Sequence, residues 1–294
     1  MQTGEAHDPL LLLREFARSA DVTSGGASRI PGGSDVRRTD GKPLISVITA
    51  CYNAADTIEQ CIQSVIGQDL PGVEYVIIDG ASTDGTARII ERYAPQLSYW
   101  HSKPDRCMAH AFNLGIERSR GDWLMFLNSD DYLHDRSALA TIAREIHDHP
   151  DADVVYGMVA FVTRERDPKP AGKPFGEPYR WRRFIRMRTI PHPASATRRR
   201  FFDRVGRFDE RYRIAMDYEV FLRGGPALST SFVPRVITCM RLGGVSRIDR
   251  RKVLDEWYQA IVFHRALSPG RARLLYAYFY ARAVIGKIIR RQAT

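Results

Sequence analysis

The amino-acid sequence predicts an α/β protein, a mostly parallel central sheet with helices on both faces. Three observations carry this. Short apolar runs alternate with segments of helical apolar spacing at least four times between residues 43 and 162. The connections are short and rich in Gly, Pro, Ser and Asp. Acidic and polar residues cluster just after the apolar runs, at the carboxyl ends of strands, where ligands bind in such sheets.

Residues 44–50 (Leu-Ile-Ser-Val-Ile-Thr-Ala) read as a buried strand. Ile58, Cys61, Ile62, Val65 and Ile66 recur at helical spacing, and Pro71-Gly72 ends that helix. Residues 74–78 (Glu-Tyr-Val-Ile-Ile) form a second buried strand. Ser82-Thr83-Asp84 supplies the cap of a helix over 86–93. A short strand over 97–101, a helix over 108–118, a strong strand over 123–127, a helix over 137–147 and a strand over 154–162 follow.

The division into parts follows composition. Residues 1–42 read as a flexible tail, because 23–42 hold much Gly, Ser and Arg and little to bury; 9–19 can form one short helix. Residues 43–250 form the main domain, with a ligand-binding half at 43–150 and a second half at 151–250. Residues 251–294 form a basic amphipathic helical extension.

With 44% hydrophobic and 27% charged residues, the 294-residue chain fits a globular enzyme. Its net charge of +10 is uneven. Residues 164–213 hold 16 basic and 6 acidic side chains, and residues 241–294 hold 12 and 3. Nucleic acid, anionic lipid and a phosphorylated substrate are each consistent with that bias, as is a solvated basic face. Cys51, Cys61, Cys107 and Cys239 form no C-x-x-C pair and suit a reducing compartment. No signal peptide and no uncharged apolar run of ~18 residues is seen, so a cytoplasmic protein without a spanning helix is expected.

The clusters after the strands carry the chemistry. They are Thr49-Ala50-Cys51-Tyr52-Asn53, Asp79-Gly80-Ala81-Ser82-Thr83-Asp84-Gly85 and Asn128-Ser129-Asp130-Asp131. Carboxylates gathered at one sheet edge call for a cation or a hydrogen-bonding ligand. Hard oxygen ligands suit Mg²⁺ or Mn²⁺, usually shared with substrate phosphates. Asp84 reads equally as a helix cap, and Asp131 as a cap or turn residue.

Residues 76–86, followed by Phe126-Leu127-Asn128-Ser129-Asp130-Asp131, resemble the family 2 glycosyltransferases over roughly residues 43–245. The resemblance implies a GT-A fold and transfer of one sugar, with inversion, from a UDP-, GDP- or dTDP-linked donor to a glycan or lipid-linked acceptor. The expected setting is surface polysaccharide or glycolipid synthesis. It implies that Thr49, Ala50, Tyr52 and Asp79 hold the nucleoside. Asn128 and Ser129 open the D-x-D motif, and Asp130, with Asp131 beside it, holds the Mg²⁺ or Mn²⁺.

In the stretch 102–113, Asp105, Ala111 and Asn113 match the family, as does Gly115 just beyond it. Cys107 and His110 depart from it, at contacts to the donor sugar. Asp105 and Arg106 are expected at the donor, Arg106 near its diphosphate. Asp217 takes the catalytic-base position, and His192 and Glu219 resemble the acceptor side. Asp217 also reads as a helix cap and His192 as structural. Gly243-Gly244-Val245-Ser246-Arg247 resembles a loop that closes over the donor, with Arg247 toward the diphosphate. No Gln-x-x-Arg-Trp of the processive synthases occurs.

In residues 271–291, Leu274, Tyr278, Ala281, Ile285 and Ile288 share one helical face among Arg271, Arg273, Arg282, Lys287, Arg290 and Arg291. Such a helix lies on an anionic membrane or packs on its own domain. The first option places the protein peripherally at the inner face of the cell membrane. A sugar-nucleotide pyrophosphorylase is disfavoured, because the first strand lacks a following Gly-rich basic loop. A nucleic-acid binder rests on charge alone, so no nucleic-acid partner is expected. A non-catalytic nucleotide-sugar-binding scaffold is the remaining alternative.

Overall fold

Strand β1 (Ile45–Cys51) is buried along its whole length, as are β2 (Glu74–Asp79) and all but the last residue of β4 (Trp123–Asn128), with the short β3 (Tyr99–Ser102) between them in sequence. The computed structural model describes residues 42–187, 189–243 and 249–292. The expected tail, apart from Lys42, and the expected donor loop beyond Gly243, with Arg247, lie outside the described residues.

These four strands are mutually parallel in the order β3-β2-β1-β4. Full burial on both faces explains the continuous apolar runs of β1, β2 and β4. Side chains alternate between two cores. Ile48, Val76, Ile78 and Phe126 face α3 (Met108–Arg118). Val47, Ile77 and Met125 face α1 (Ile58–Ile66), α2 (Thr86–Arg92) and α4 (Ala138–Asp148). Each such buried side chain contributes roughly 1.5–3 kcal/mol. Helix α3 lies so close to β1 that a Cβ on Gly115 would stand 2.2 Å from Ile48 Cγ2.

The second half of the sheet is mixed. The full order is β3-β2-β1-β4-β7-β6-β8-β5, with β5 (Tyr132–Leu133), β6 (Val154–Val162), β7 (Ser195–Arg198) and β8 (Thr230–Arg241). β7 runs antiparallel to β4 and β6; β8 runs parallel to β6 and antiparallel to β5. Two of these strands give little sequence signal. β7 has one apolar residue in four, yet Ser195, Ala196 and Thr197 are fully buried by their neighbours. β8 contains Pro234, which a regular central strand excludes. The β6–β8 register shifts after Tyr156↔Phe232, and the irregularity accommodates the proline.

The remaining helices are α5 (Trp181–Met187), α6 (Arg199–Val205), α7 (Met216–Gly224), α8 (Arg250–Phe263) and α9 (Pro269–Gln292). α8 packs on α7 and on α9, where Trp257 meets Phe279 edge-on at 6.1 Å. No described helix is long and apolar enough to cross a membrane.

Candidate functional site

Strand order reverses at β1, with β2 on one side and β4 on the other. The register pairs Cys51 with Asp79 and Ala50 with Asn128, so three strand ends stop at one level. This is the topological switch point at which open α/β sheets bind ligands.

The turns after β1 and β2 are knitted together. Asn53 N–H donates to Ser82 Oγ (2.8 Å), Thr83 N–H to Asn53 Oδ1 (2.9 Å) and Ala55 N–H to Asp84 Oδ2 (3.0 Å). Asn53 and Ala81 adopt φ of 48° and 63°. Ala81 accepts the left-handed conformation at a cost of about 1–2 kcal/mol, which the cross-turn bonds offset. The cap position of α2 is Gly85, not one of Ser82, Thr83 or Asp84; Asp84 accepts the N–H of Thr86 from the residue before it.

Asp79 is fully buried, and its carboxylate accepts from Ser82 N–H and Oγ, from Ser102 Oγ and from the Cys51 thiol. Burial, then the Asp79 charge, pushes the Cys51 thiol far above its ordinary range. Asp79 therefore binds the ends of β1, β2 and β3 together. Thr49 also points inward, its Oγ1 3.2 Å from the Tyr75 hydroxyl. Ala50 is buried.

The surface above is made by Tyr52, 65% exposed, by Gly80 and by Asp105. A Cβ on Gly80 would lie 2.7 Å from Asp105 Oδ2 and 3.5 Å from Tyr52 Cδ2, so the glycine lets both side chains close over the strand end. Burial raises the pKa of Asp105, against the lowering effect of His110. Arg106 is exposed and forks onto Glu210 at 2.7 and 2.8 Å. Asn113 exchanges two hydrogen bonds with the Phe208 backbone, fixing α3 to the same loop.

After β4, Asn128 Nδ2 donates to Asp131 Oδ2 (2.9 Å), and the Asp131 N–H returns to Asn128 O (3.0 Å). The second oxygen of Asp131 accepts the main-chain N–H of Arg241 (3.1 Å). At 1% exposure, Asp131 thus braces the turn and does not offer a free oxygen as the expected second metal ligand. Burial, and then the neighbouring Asp130 charge, raises its pKa strongly. Asp130 differs. It is half-buried, and its carboxylate accepts no hydrogen bond among the described residues; Ser129 beside it is also half-buried.

Two residues here escaped the sequence reading. Arg241 is 4% exposed, donates from Nη1 to Asp130 O (2.6 Å), bonds Gln60 Oε1 and lies 5.2 Å over the Tyr132 ring. An arginine closing an apolar run was the available signal, since a buried guanidinium requires partners. Gln60 carried no signal.

On the other side, His192 stacks on Phe126, two residues before Asn128, with ring centroids 5.2 Å apart. Its Nε2 is buried without a partner among the described residues. Burial lowers its pKa, opposed by the charge of Asp217. Asp217 is the second residue of α7, half-buried, with Oδ1 accepting the Tyr218 N–H (2.7 Å). Glu219 is placed elsewhere. It is 1% exposed and paired with Arg223 (2.9 Å) and His264 (2.6 Å), so it struts α7 against the helical extension and does not reach an acceptor.

Among the described residues no three His, Cys, Asp or Glu side chains are grouped to hold a metal. The open lone pairs of Asp130 fit a hard cation that draws its other ligands from a phosphate-bearing substrate and water.

The sequence model described as "Glycosyl transferase family 2" matches residues 46–206. The chain belongs to that family. This glycosyltransferase is 32% identical over 210 residues to a PGL/p-HBAD biosynthesis glycosyltransferase of Mycobacterium bovis, covering 69% of this chain and 79% of the relative. It is 41% identical over 96 residues to the putative teichuronic acid biosynthesis glycosyltransferase TuaG of Bacillus subtilis, covering 32% and 38%. Its fold matches S. aureus TarS 1-349 in complex with UDP-GlcNAc (TM-score 0.60, 20% identity, 80% of this chain and 71% of the other). It also matches the mannosyltransferase PcManGT of Pyrobaculum calidifontis in complex with GDP-Man and Mn²⁺ (TM-score 0.56, 20% identity, 97% and 87%). The glycosyltransferase therefore has the GT-A type of architecture expected from its motifs.

Proposed function

We propose that this chain transfers a single sugar, with inversion, from a nucleoside-diphosphate sugar to a glycan or lipid-linked acceptor in surface polysaccharide or glycolipid synthesis. The observation that carries the proposal is the carboxylate of Asp130, which accepts no hydrogen bond among the described residues. It follows β4 where three strand ends meet, and Phe126 of the same strand stacks on His192, whose ring feels the charge of Asp217. The names of the mycobacterial and Bacillus relatives support the class of product, and the ligands named for the structural neighbours support the class of donor.

Tyr52 and Asp105 are assigned to the nucleoside, over the floor that Gly80 leaves open. Asp79 and Thr49 support that floor from below, and Ala50 packs within it. Asn128 and Ser129 shape the turn beside the diphosphate. Arg106 reaches the diphosphate by leaving Glu210, an exposed pair worth about 0–1 kcal/mol. Asp130 holds Mg²⁺ or Mn²⁺. When bound, the ion neutralises charge on the departing diphosphate.

Asp217 accepts the proton of the acceptor hydroxyl as that oxygen attacks the anomeric carbon from the face opposite the diphosphate. Its pairing with Tyr218 N–H through Oδ1 leaves Oδ2 for that proton. His192, neutral in its aromatic surroundings, lines the route between Asp217 and β4.

The exposed face of α9 supports a peripheral location. Leu274 (74% exposed) and Tyr278 stand clear of the domain with Arg271, Arg273 and Arg282, while Ala272 and Leu275 make the inward contact. Aromatic, aliphatic and basic side chains together suit an anionic membrane surface at which a lipid-linked acceptor is presented.

The test is a thermal-shift panel of UDP-, GDP- and dTDP-sugars with and without Mn²⁺, on the wild-type chain and on Asp130→Ala. Ligand that binds only the folded state stabilises it, by about 2.7 kcal/mol at a hundred times Kd, and so raises the melting temperature. One donor class is expected to shift the wild-type chain in a Mn²⁺-dependent way, and Asp130→Ala to lose that dependence. No shift with any donor, or retained metal dependence in the variant, overturns the assignment.

A further inference from the structure

The backbone that leads into Asp217 is held by a residue far along the chain. Glu256, on α8, is 5% exposed. Its Oε2 accepts the N–H groups of Ile214 and Ala215, both at 2.8 Å, and its Oε1 accepts that of Arg213 at 3.1 Å. Three consecutive amides thus converge on one buried carboxylate. Such charge-assisted bonds are about twice as strong as neutral ones, which is what a buried charge requires. Ala215 is the cap of α7, and Asp217 is its second helical residue.

Two more contacts seat the same helices on each other. Tyr218 faces Trp257 at 5.4 Å, and Glu219 meets His264 Nε2 at 2.6 Å. From the other side, Arg213 Nη1 donates to the Arg106 carbonyl at 2.5 Å, tying this segment to the expected donor side. The Arg213–Ala215 backbone therefore has little freedom, and Asp217 inherits that restriction two residues later.

We propose that Glu256 is a positioning residue for sugar transfer: by binding the amides of Arg213, Ile214 and Ala215 it sets where the Asp217 carboxylate stands. The proposal rests on Asp217 being the base. Misplacing a reacting group by about 1 Å costs on the order of a hundredfold in rate. Glutamine keeps the volume but has one acceptor oxygen for three amides, and its own N–H₂ would face a donor. Glu256→Gln therefore releases the segment without opening a cavity.

The experiment compares wild type, Glu256→Gln, Asp217→Asn and the double variant. The donor is the nucleotide sugar that shifts the melting temperature most in the panel above, water is the acceptor, and release of nucleoside diphosphate is followed. Glu256→Gln is expected to lower kcat about 10- to 100-fold with donor KM unchanged. In the Asp217→Asn background the same change should have no further effect, because residues that act as a unit are non-additive.

An unchanged kcat in Glu256→Gln, or an equal further loss in the double variant, overturns the proposal while leaving the base assignment standing. Wild-type kcat in Asp217→Asn removes both. Hydrogen exchange on the wild-type chain provides an arm that needs no turnover. Amides 213–215 should exchange at least tenfold more slowly than those of the exposed residues 164–167, and equal rates overturn the latch.

Discussion

The main-chain N–H of Arg241 donates to Asp131 Oδ1 at 3.1 Å, while its guanidinium holds the carbonyl of Asp130 at 2.6 Å. One residue at the end of β8 therefore fixes both acids at the end of β4. It does so from within the interior, where the same guanidinium also bonds Gln60 and covers Tyr132.

Arg241→Lys tests that relationship. Lysine keeps the charge but lacks the planar fork that meets Asp130 and Gln60 together. Leaving one buried acceptor unpaired costs about 1–3 kcal/mol of stability. Nucleotide-sugar affinity in calorimetric titration should fall about 10- to 100-fold, since the Asp130 turn loses its brace. Wild-type affinity would show that the turn holds itself.

His192→Phe separates packing from chemistry. The ring already sits among Phe112, Phe126, Phe208 and Phe221, and its Nε2 has no partner among the described residues. Phenylalanine removes a buried unpaired nitrogen at similar volume, so the melting temperature should hold or rise. If Nε2 serves the acceptor site, donor turnover falls at least tenfold in the same variant. Unchanged turnover assigns the residue to the core.

Glu74 gives a pH prediction at the opposite end of the strands. Burial would raise its pKa, but hydrogen bonds from Arg120 N–H, Ser46 Oγ, Arg120 Nε and Gly121 N–H outweigh that and hold it below the usual range. The folded chain thus binds this proton less tightly than the unfolded chain. The stabilisation is present above the unfolded value and is lost as pH falls through the lower folded value. Glu74→Gln should cost about 1–3 kcal/mol in urea unfolding near pH 7, and the gap to wild type should narrow below about pH 4. A gap that stays constant with pH would exclude the carboxylate's charge as its cause.

The exposed stripe of α9 is tested by Leu274→Glu with Tyr278→Glu. Both side chains are largely in solvent, so the melting temperature should not change. Co-sedimentation with phosphatidylglycerol vesicles should fall at least tenfold relative to wild type, and phosphatidylcholine vesicles should bind neither chain. Equal sedimentation of the two chains would remove the membrane from the reading.

Local pattern determined the first half of the sheet and the location of its acids. The runs ending at Cys51, Asp79 and Asn128 are long, apolar and followed by polar turns, so their strand character and ligand-facing ends are written in neighbouring residues. The family motif rests on the same local spacing. Tertiary structure decided the antiparallel entry of β7 and the tolerance of Pro234 in β8, because both depend on neighbouring strands. It also decided what each acid does. Asp130 and Asp131 are adjacent in sequence, yet one carboxylate accepts no hydrogen bond among the described residues and the other is closed by Asn128 and Arg241. Asp217 and Glu219 lie in one helical turn, yet only Glu219 is paired with His264. The partners that make these distinctions lie far along the chain, Arg241 for the first pair and His264 for the second. A buried carboxylate's role depends on which donors surround it, and those donors are assembled only by the order of the strands and the packing of α8 on α7.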